Sequence, residues 1–209
     1  MPTIFVKEGT KLPERIENDA YYTPSIFVEK GLDVVEMIAR HERCPSYRTQ
    51  ALSANSSADW FPITLDPGAG AGIWGEKAKE RWPEADIVGV ELRSLPKPEA
   101  YSLWHTGDYL DFDWEGFDLV IGNPPYRNLE KHVRHSLNKL NKGGILVFLA
   151  HLSFLESKKR GDGLFAGHPP FLVAVSKERP KFTGPANPSA ACFCGWIKGY
   201  QGFTELIWI

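Results

Sequence analysis

Apolar positions along the chain switch repeatedly between two periods. In PSIFVEKGLDVVEMIAR (24–40), Phe27, Val28, Leu32, Val35 and Ile38 recur at helical spacing, with Pro24 suited to a first turn that needs no N–H partner. FPITLD (61–66) predicts a short strand, IWGEKAKERW (73–82) a helix and DIVGVEL (86–92) a second strand. A third, shorter strand is expected within YSLWHTGDYLDF (101–112), and FDLVIGN (117–123) reads as a fourth. Leu129, Val133, Leu137 and Leu140 stripe a further helix that should stop at Gly143-Gly144. The next segment, GILVFLAHL (144–152), is continuously apolar, as befits a strand covered on both faces. PFLVAVSKERPKF and AACFCGWIKGY predict two more strands with no helix between them, hence an antiparallel pair. Two stretches break the pattern: the polar, Ser- and Asn-rich 41–60 predicts a long loop, and ESKKRGDGLFAGHPP (156–170) a mobile surface loop.

Strands alternating with helices predict an α/β, doubly wound, mainly parallel sheet that ends in an antiparallel strand pair. In such sheets ligands sit beyond the carboxyl ends of the strands, so each strand end is a place to look for chemistry.

Composition narrows the class. With 209 residues, 43% of them hydrophobic, residues 1–209 can bury one full core as a single domain. No apolar run approaches the roughly 20 residues that span a bilayer, and MPTIFVKEGTKLPERIE lacks the apolar centre of a secretory signal, so a cytoplasmic protein without membrane contact is expected. Cys44, Cys192 and Cys194 offer neither a disulfide framework nor paired metal knuckles. The two thiols of CFC fall on one side of a strand, where packing is the expectation and no metal site is foreseen. Net charge −2 excludes a strongly basic nucleic-acid coat, yet residues 127–160 carry eight Lys or Arg against two Glu. That bias fits either a phosphate-binding surface or a solvated helix face.

The strand ends carry the candidate chemistry. The first closes in DPGAGAG, where Asp66 precedes Gly68, Gly70 and Gly72, glycines that let a backbone turn tightly and approach a ligand. Alone, such a loop is equally a nucleotide or phosphate loop or a tight turn. Glu91 follows 25 residues after Asp66, a spacing suited to accepting hydrogen bonds from both hydroxyls of a ribose, although an exposed strand-end Glu looks the same. Asp108, in HTGDYL, could accept from an adenine amine. Together these ends describe a nucleoside pocket whose acids suit a positively charged cofactor better than a pyrophosphate. The fourth strand closes in Asn123-Pro124-Pro125-Tyr126. An aromatic amine is a poor nucleophile because its lone pair is delocalised. If the Asn123 side-chain oxygen and the Pro124 carbonyl accept its two N–H protons, the nitrogen is drawn toward a tetrahedral shape, with no covalent intermediate. The two prolines hold the turn rigid, and Tyr126 can stack on the base. The bland alternative is a rigid surface turn with a packed tyrosine.

In motif order these residues resemble the S-adenosylmethionine-dependent DNA adenine-N6 methyltransferases, from residue 20 to about 155. The resemblance implies a Rossmann-like class I methyltransferase fold, with S-adenosyl-L-methionine as cofactor. DPGAGAG is similar to the family's cofactor loop (Asp66, Pro67, Gly68, Gly70), VELR to its ribose-binding segment (Glu91, Leu92) and GDYLDF to its adenine-contacting segment (Asp108, Tyr109). IGNPPY resembles the catalytic tetrapeptide, which assigns Asn123, Pro124, Pro125 and Tyr126 to catalysis and puts Asn123 beside the cofactor as well. YYTPSIFVEK resembles the segment that closes over the methionine end, implying Tyr22, Thr23 and Pro24. The implied reaction is methylation of a flipped-out adenine in DNA, with Arg127, Lys131, Arg134, Lys158, Lys159 and Arg160 on the phosphates. No sizeable target-recognition domain fits after residue 155. Base selection would fall to 41–60, 127–135 and 156–170, or to a partner subunit or homodimer. The implied setting is the cytoplasm of a prokaryotic cell or phage-infected host.

Rivals use the same turn on another planar amine: adenine or guanine in RNA, or a protein glutamine amide. A cofactor-binding subunit without catalysis is a rival from another class, against which Asn123 and Tyr126 count. Cytosine carbon-5 chemistry needs a nucleophilic Cys, usually after Pro, and no Pro-Cys occurs. A nicotinamide oxidoreductase is weakened because Gly68, Gly70 and Gly72 are followed by Trp74, so GxGxxG is not completed.

Overall fold

Eight strands form one sheet in the order β3-β2-β1-β4-β5-β7-β6-β8 in the computed structural model, which describes residues 22–41, 44, 62–180 and 190–209. They are β1 (Ile63–Pro67), β2 (Asp86–Glu91), β3 (Leu103–Thr106), β4 (Phe117–Gly122), β5 (Leu140–His151), β6 (Leu172–Val175), β7 (Ala191–Ile197) and β8 (Glu205–Trp208). The first five run parallel, β7 is antiparallel to both β5 and β6, and β8 is parallel to β6. The doubly wound arrangement and the antiparallel pair near the end of the chain are as expected. Strand order reverses between β1 and β4, and the carboxyl ends of β1, β2 and β4 therefore meet at a switch point.

Each face of the sheet has its own apolar layer. Helices α1 (Ser25–Ala39) and α2 (Ile73–Arg81) cover one face, burying Phe27, Val28, Leu32, Val35, Ile38, Trp74 and Ala78 against Ile87, Leu119, Ile121 and Val147. Helix α3 (Leu129–Lys139) covers the other, with Leu129, Val133 and Leu137 against Val120, Leu146 and Phe148. Arg81 clasps α2 to α1 through Asp33 at 2.6 Å and Glu29 at 2.9 Å. Cys192 and Cys194 are buried on one face of β7 with their sulfurs 3.7 Å apart, the expected packing role.

Three expectations about elements are corrected. The 156–170 stretch is not a loop throughout: a helical turn at Lys158–Arg160 runs on into a π-type turn, Gly161–Phe165. Its glycines disfavour helix, but Leu164 is fully buried and Arg160 donates to the carbonyls of Phe154 at 2.7 Å and Glu156 at 2.5 Å. Leu140 belongs to β5 rather than to α3, because the pairing of β4 with β5 starts at Phe117↔Leu140 and resumes at Leu119↔Ile145 across an irregularity. Gly143, at φ 78°, falls in that irregularity instead of ending a helix. Strand β8 was not foreseen. Its four residues hold their place by pairing with β6, and no periodicity in so short a run announces it. The expected loop at 41–60 lies outside the described residues except for His41 and Cys44.

Candidate active site

The glycine loop leaves β1 at Pro67 and reaches α2 at Ile73. Gly68, Gly70 and Gly72 have φ of 76°, 60° and 94°, a left-handed path that a side chain would strain at each step. Gly68 and Ala69 donate to the Val90 carbonyl at 2.8 and 3.0 Å, pinning the loop to the end of β2. Asp66, at the root of the loop, is fully buried. One of its oxygens, Oδ2, accepts from the Tyr101 hydroxyl at 2.6 Å, while Oδ1 has no hydrogen-bond partner among the described residues. Burial drives the Asp66 carboxyl up to about 7; the Tyr101 hydrogen bond opposes the rise and the charge of Glu91 adds to it.

Glu91 ends β2 with its carboxylate turned toward the same loop, and it is buried. Oε2 accepts from the Gly70 N–H at 2.8 Å, and Oε1 accepts from the Arg93 N–H at 3.0 Å and Nε at 2.6 Å. A carboxylate can accept about four hydrogen bonds, so Oε2 keeps capacity for a ribose hydroxyl. Leu92 stands exposed beside it. Arg93 also lies against the Tyr22 hydroxyl, which brings 22–24 to this end of the sheet. Thr23 is buried and accepts from Trp74 Nε1 at 3.3 Å, and Pro24 leads into α1. Asp108 is exposed beyond β3 and caps a short turn through the Leu110 N–H at 2.9 Å. Tyr109 points the other way. Its ring is buried in the α3 layer, its hydroxyl 2.8 Å from Ser136 Oγ, and burial pushes its pKa up. A cofactor on the loop side could meet the backbone of Tyr109 but not its phenol.

The Asn123-Pro124-Pro125-Tyr126 turn continues directly from β4. Asn123 is part-buried, and its Oδ1 is a second buried oxygen without a partner among the described residues. Pro124 is buried. Pro125 faces the glycine loop, its Cδ 3.9 Å from where a Cβ on Gly68 would lie. Tyr126 opens a short turn, Tyr126–Asn128, with its ring centroid 3.9 Å from that of His151 at the end of β5. Burial lowers the His151 pKa, which favours the neutral ring at neutral pH. Two buried oxygens without a partner among the described residues therefore stand near the ends of β1 and β4, at the switch point.

Of the six basic residues, Arg127, Lys131, Lys158 and Lys159 are exposed. Arg134 is engaged by Glu130 one helical turn away at 3.1 Å. Arg160 is half-buried: its guanidinium donates to the carbonyls of Ser153, Phe154 and Glu156 and packs 5.2 Å from the Phe154 ring, which ties down the 158–165 turns. Among the described residues no cluster of His, Cys, Asp or Glu could hold a metal, and no helix is long and apolar enough to cross a membrane. Sequence reading missed Tyr101, Arg93 and His151. Only the position of His151, at the end of the apolar run 144–151, was available as a signal for it.

No protein-family model matches the chain. In sequence it is 29% identical over 121 residues to ribosomal RNA small subunit methyltransferase C of Haemophilus ducreyi, covering 50% of this chain and 36% of that protein. It is 32% identical over 109 residues to the protein of the same name from Haemophilus influenzae, covering 44% of this chain and 32% of that one. The chain thus spans about a third of the length of the curated relatives it matches. Among solved structures, a Listeria monocytogenes protein described as a class I S-adenosylmethionine-dependent methyltransferase superposes with a TM-score of 0.53 at 13% identity, over 88% of this chain and 73% of that one. An Agrobacterium tumefaciens protein described as a predicted O-methyltransferase gives 0.50 at 21% identity, over 74% and 80%. The fold is that of the class I methyltransferases.

Proposed function

We propose that this protein is an S-adenosylmethionine-dependent methyltransferase that modifies the exocyclic amine of a purine in RNA. The observation that carries the proposal is Asn123 Oδ1 at the end of β4, beside the glycine loop, buried and without a partner among the described residues. The residues present fit the cofactor: a left-handed loop with nothing nearer than 3.9 Å where side chains on Gly68 and Gly70 would stand, Glu91 with acceptor capacity for a ribose, and the buried acid Asp66 with one oxygen lacking a partner among the described residues. When bound, S-adenosylmethionine supplies an electrophilic methyl group next to an anionic wall.

This chain's own part is to bind and polarise the nucleophile. Asn123 Oδ1 accepts one amine hydrogen, and the Pro124 carbonyl is the candidate acceptor for the other. Acceptors fixed before the reaction favour the tetrahedral amine of the transition state without costing reorganisation. Tyr126, braced by His151, offers a face on which the base stacks. Arg127, Lys131, Lys158 and Lys159 lie in the segments that leave β4 and β5 and give phosphates a basic rim.

RNA is preferred to DNA because the matched relatives are named ribosomal RNA methyltransferases. The expectation of adenine in DNA remains the competing outcome. Incubation with labelled S-adenosylmethionine and, separately, ribosomal RNA, duplex DNA and a protein extract tests it, with digestion and identification of the methylated product. Label in an N-methylated purine nucleoside of RNA is the expected result. Label in DNA alone returns the substrate to the original expectation, and label in a protein amide overturns both.

A further inference from the structure

Tyr101 stands just before β3, its ring almost wholly buried, and its hydroxyl meets β1, the glycine loop and the first turn of α2. It donates to Asp66 Oδ2 at 2.6 Å, accepts from the Gly75 N–H of α2 at 3.0 Å, and lies 3.1 Å from the Gly72 carbonyl. A phenol has one proton and two lone pairs. The charged acceptor at the shortest distance takes the proton, and the backbone donor fills a lone pair.

The ring packs closely against the backbone on both sides. A side chain on Gly75 would fall inside the tyrosine ring, and one on Gly72 would come within 3.0 Å of it. On the strand side, a Cβ at Gly89 would reach 2.8 Å from Tyr101 and 2.5 Å from Trp104, whose ring stands edge-on to Tyr101 at 5.1 Å. Three glycines thus vacate the space that the ring fills. The effect passes to Asp66: with Oδ2 held, Oδ1 lies where a Cβ on Gly122 would come within 3.1 Å of it, one residue before Asn123.

We propose that Tyr101 is a positioning residue for the cofactor, holding Asp66 so that its other oxygen, Oδ1, faces the cationic part of the ligand at the crossing of β1 and β4. This rests on the cofactor reading given above. Among the described residues the titratable groups that act on Asp66 are Tyr101 itself and Glu91 from β2, with Glu76 of α2 acting on Tyr101; Gly122 and Asn123 from β4 carry no titratable group.

Tyr101→Phe keeps the ring and removes the hydroxyl. Affinity for S-adenosylmethionine and S-adenosylhomocysteine, measured by calorimetry between pH 5.5 and 9, should fall roughly tenfold at neutral pH, the scale of one hydrogen bond to a charged group. The acidic limb of the affinity profile should move to higher pH, because the bond that favours ionised Asp66 is gone. In an Asp66→Asn background the same change should have little further effect. Site-specific 3-fluorotyrosine at position 101 preserves shape and folding while strengthening the donor, and should move the limb to lower pH. An unchanged affinity, an unmoved limb with either replacement, or an equal loss in the Asp66→Asn background overturns the proposal. If the wild-type protein binds neither ligand, the cofactor reading itself fails and takes this inference with it.

Discussion

Asp66 and Glu91 close neighbouring strands, and the charge of Glu91 adds to the burial that lifts the Asp66 carboxyl to about 7. In the unfolded chain the same carboxyl ionises near its ordinary value of 3.8. Between those values the folded state holds a proton that the unfolded state has released, so the contribution of Asp66 to stability falls as pH rises through that window and levels off above about 7. The full span corresponds to roughly 4 kcal/mol, an order-of-magnitude figure for a buried group. Asp66→Asn removes the titration. Urea unfolding of both proteins at pH 5 and 8 should show the variant gaining relative to wild type at the higher pH. A difference independent of pH would mean that Asp66 ionises normally in the fold.

Gly75→Ala tests the packing around Tyr101. Gly75 lies inside α2, where alanine is intrinsically favoured by about 1 kcal/mol. The added methyl nevertheless enters the Tyr101 ring, and overpacking of this kind costs about 1–3 kcal/mol. A lower urea midpoint is expected despite the better helix former. A higher midpoint would show that Tyr101 moves freely and does not brace the loop.

The basic residues of 127–160 divide by role. Lys158→Gln and Lys159→Gln should each weaken RNA binding and reduce the slope of log affinity against log salt by about 0.7. Arg160→Lys cannot reproduce three bonds to carbonyls from a planar fork, so it should loosen the 158–165 turns, read as faster amide exchange, with little change in the salt slope. Equal slopes for wild type and both lysine variants would remove the phosphate role of this surface.

How far these features could be read from residues alone depended on their length scale. The helices and inner strands declare themselves by period, since Phe27, Leu32 and Val35 or Leu129, Val133 and Leu137 must share one face. The loop ends and the Asn-Pro-Pro-Tyr turn were legible because their chemistry is local. Tyr101 was not, because what makes it matter is the space left by Gly72, Gly75 and Gly89 at separate points of the chain. The bracing contacts of Arg160 were hidden for a related reason: charge is visible in a sequence, whereas the carbonyls that meet it are brought there by folding. The helical turns at 158–165 lay hidden behind glycines whose poor propensity is outweighed by burial of Leu164.

The most direct test is the Asn123→Ala variant, assayed for cofactor affinity and for single-turnover methyl transfer to RNA. Cofactor binding should stay within a few-fold of wild type, while the chemical step slows by about 10²–10³, the cost of losing one preorganised polar contact to the developing charge. Equal single-turnover rates in the two proteins would contradict the role of the amide at the end of β4.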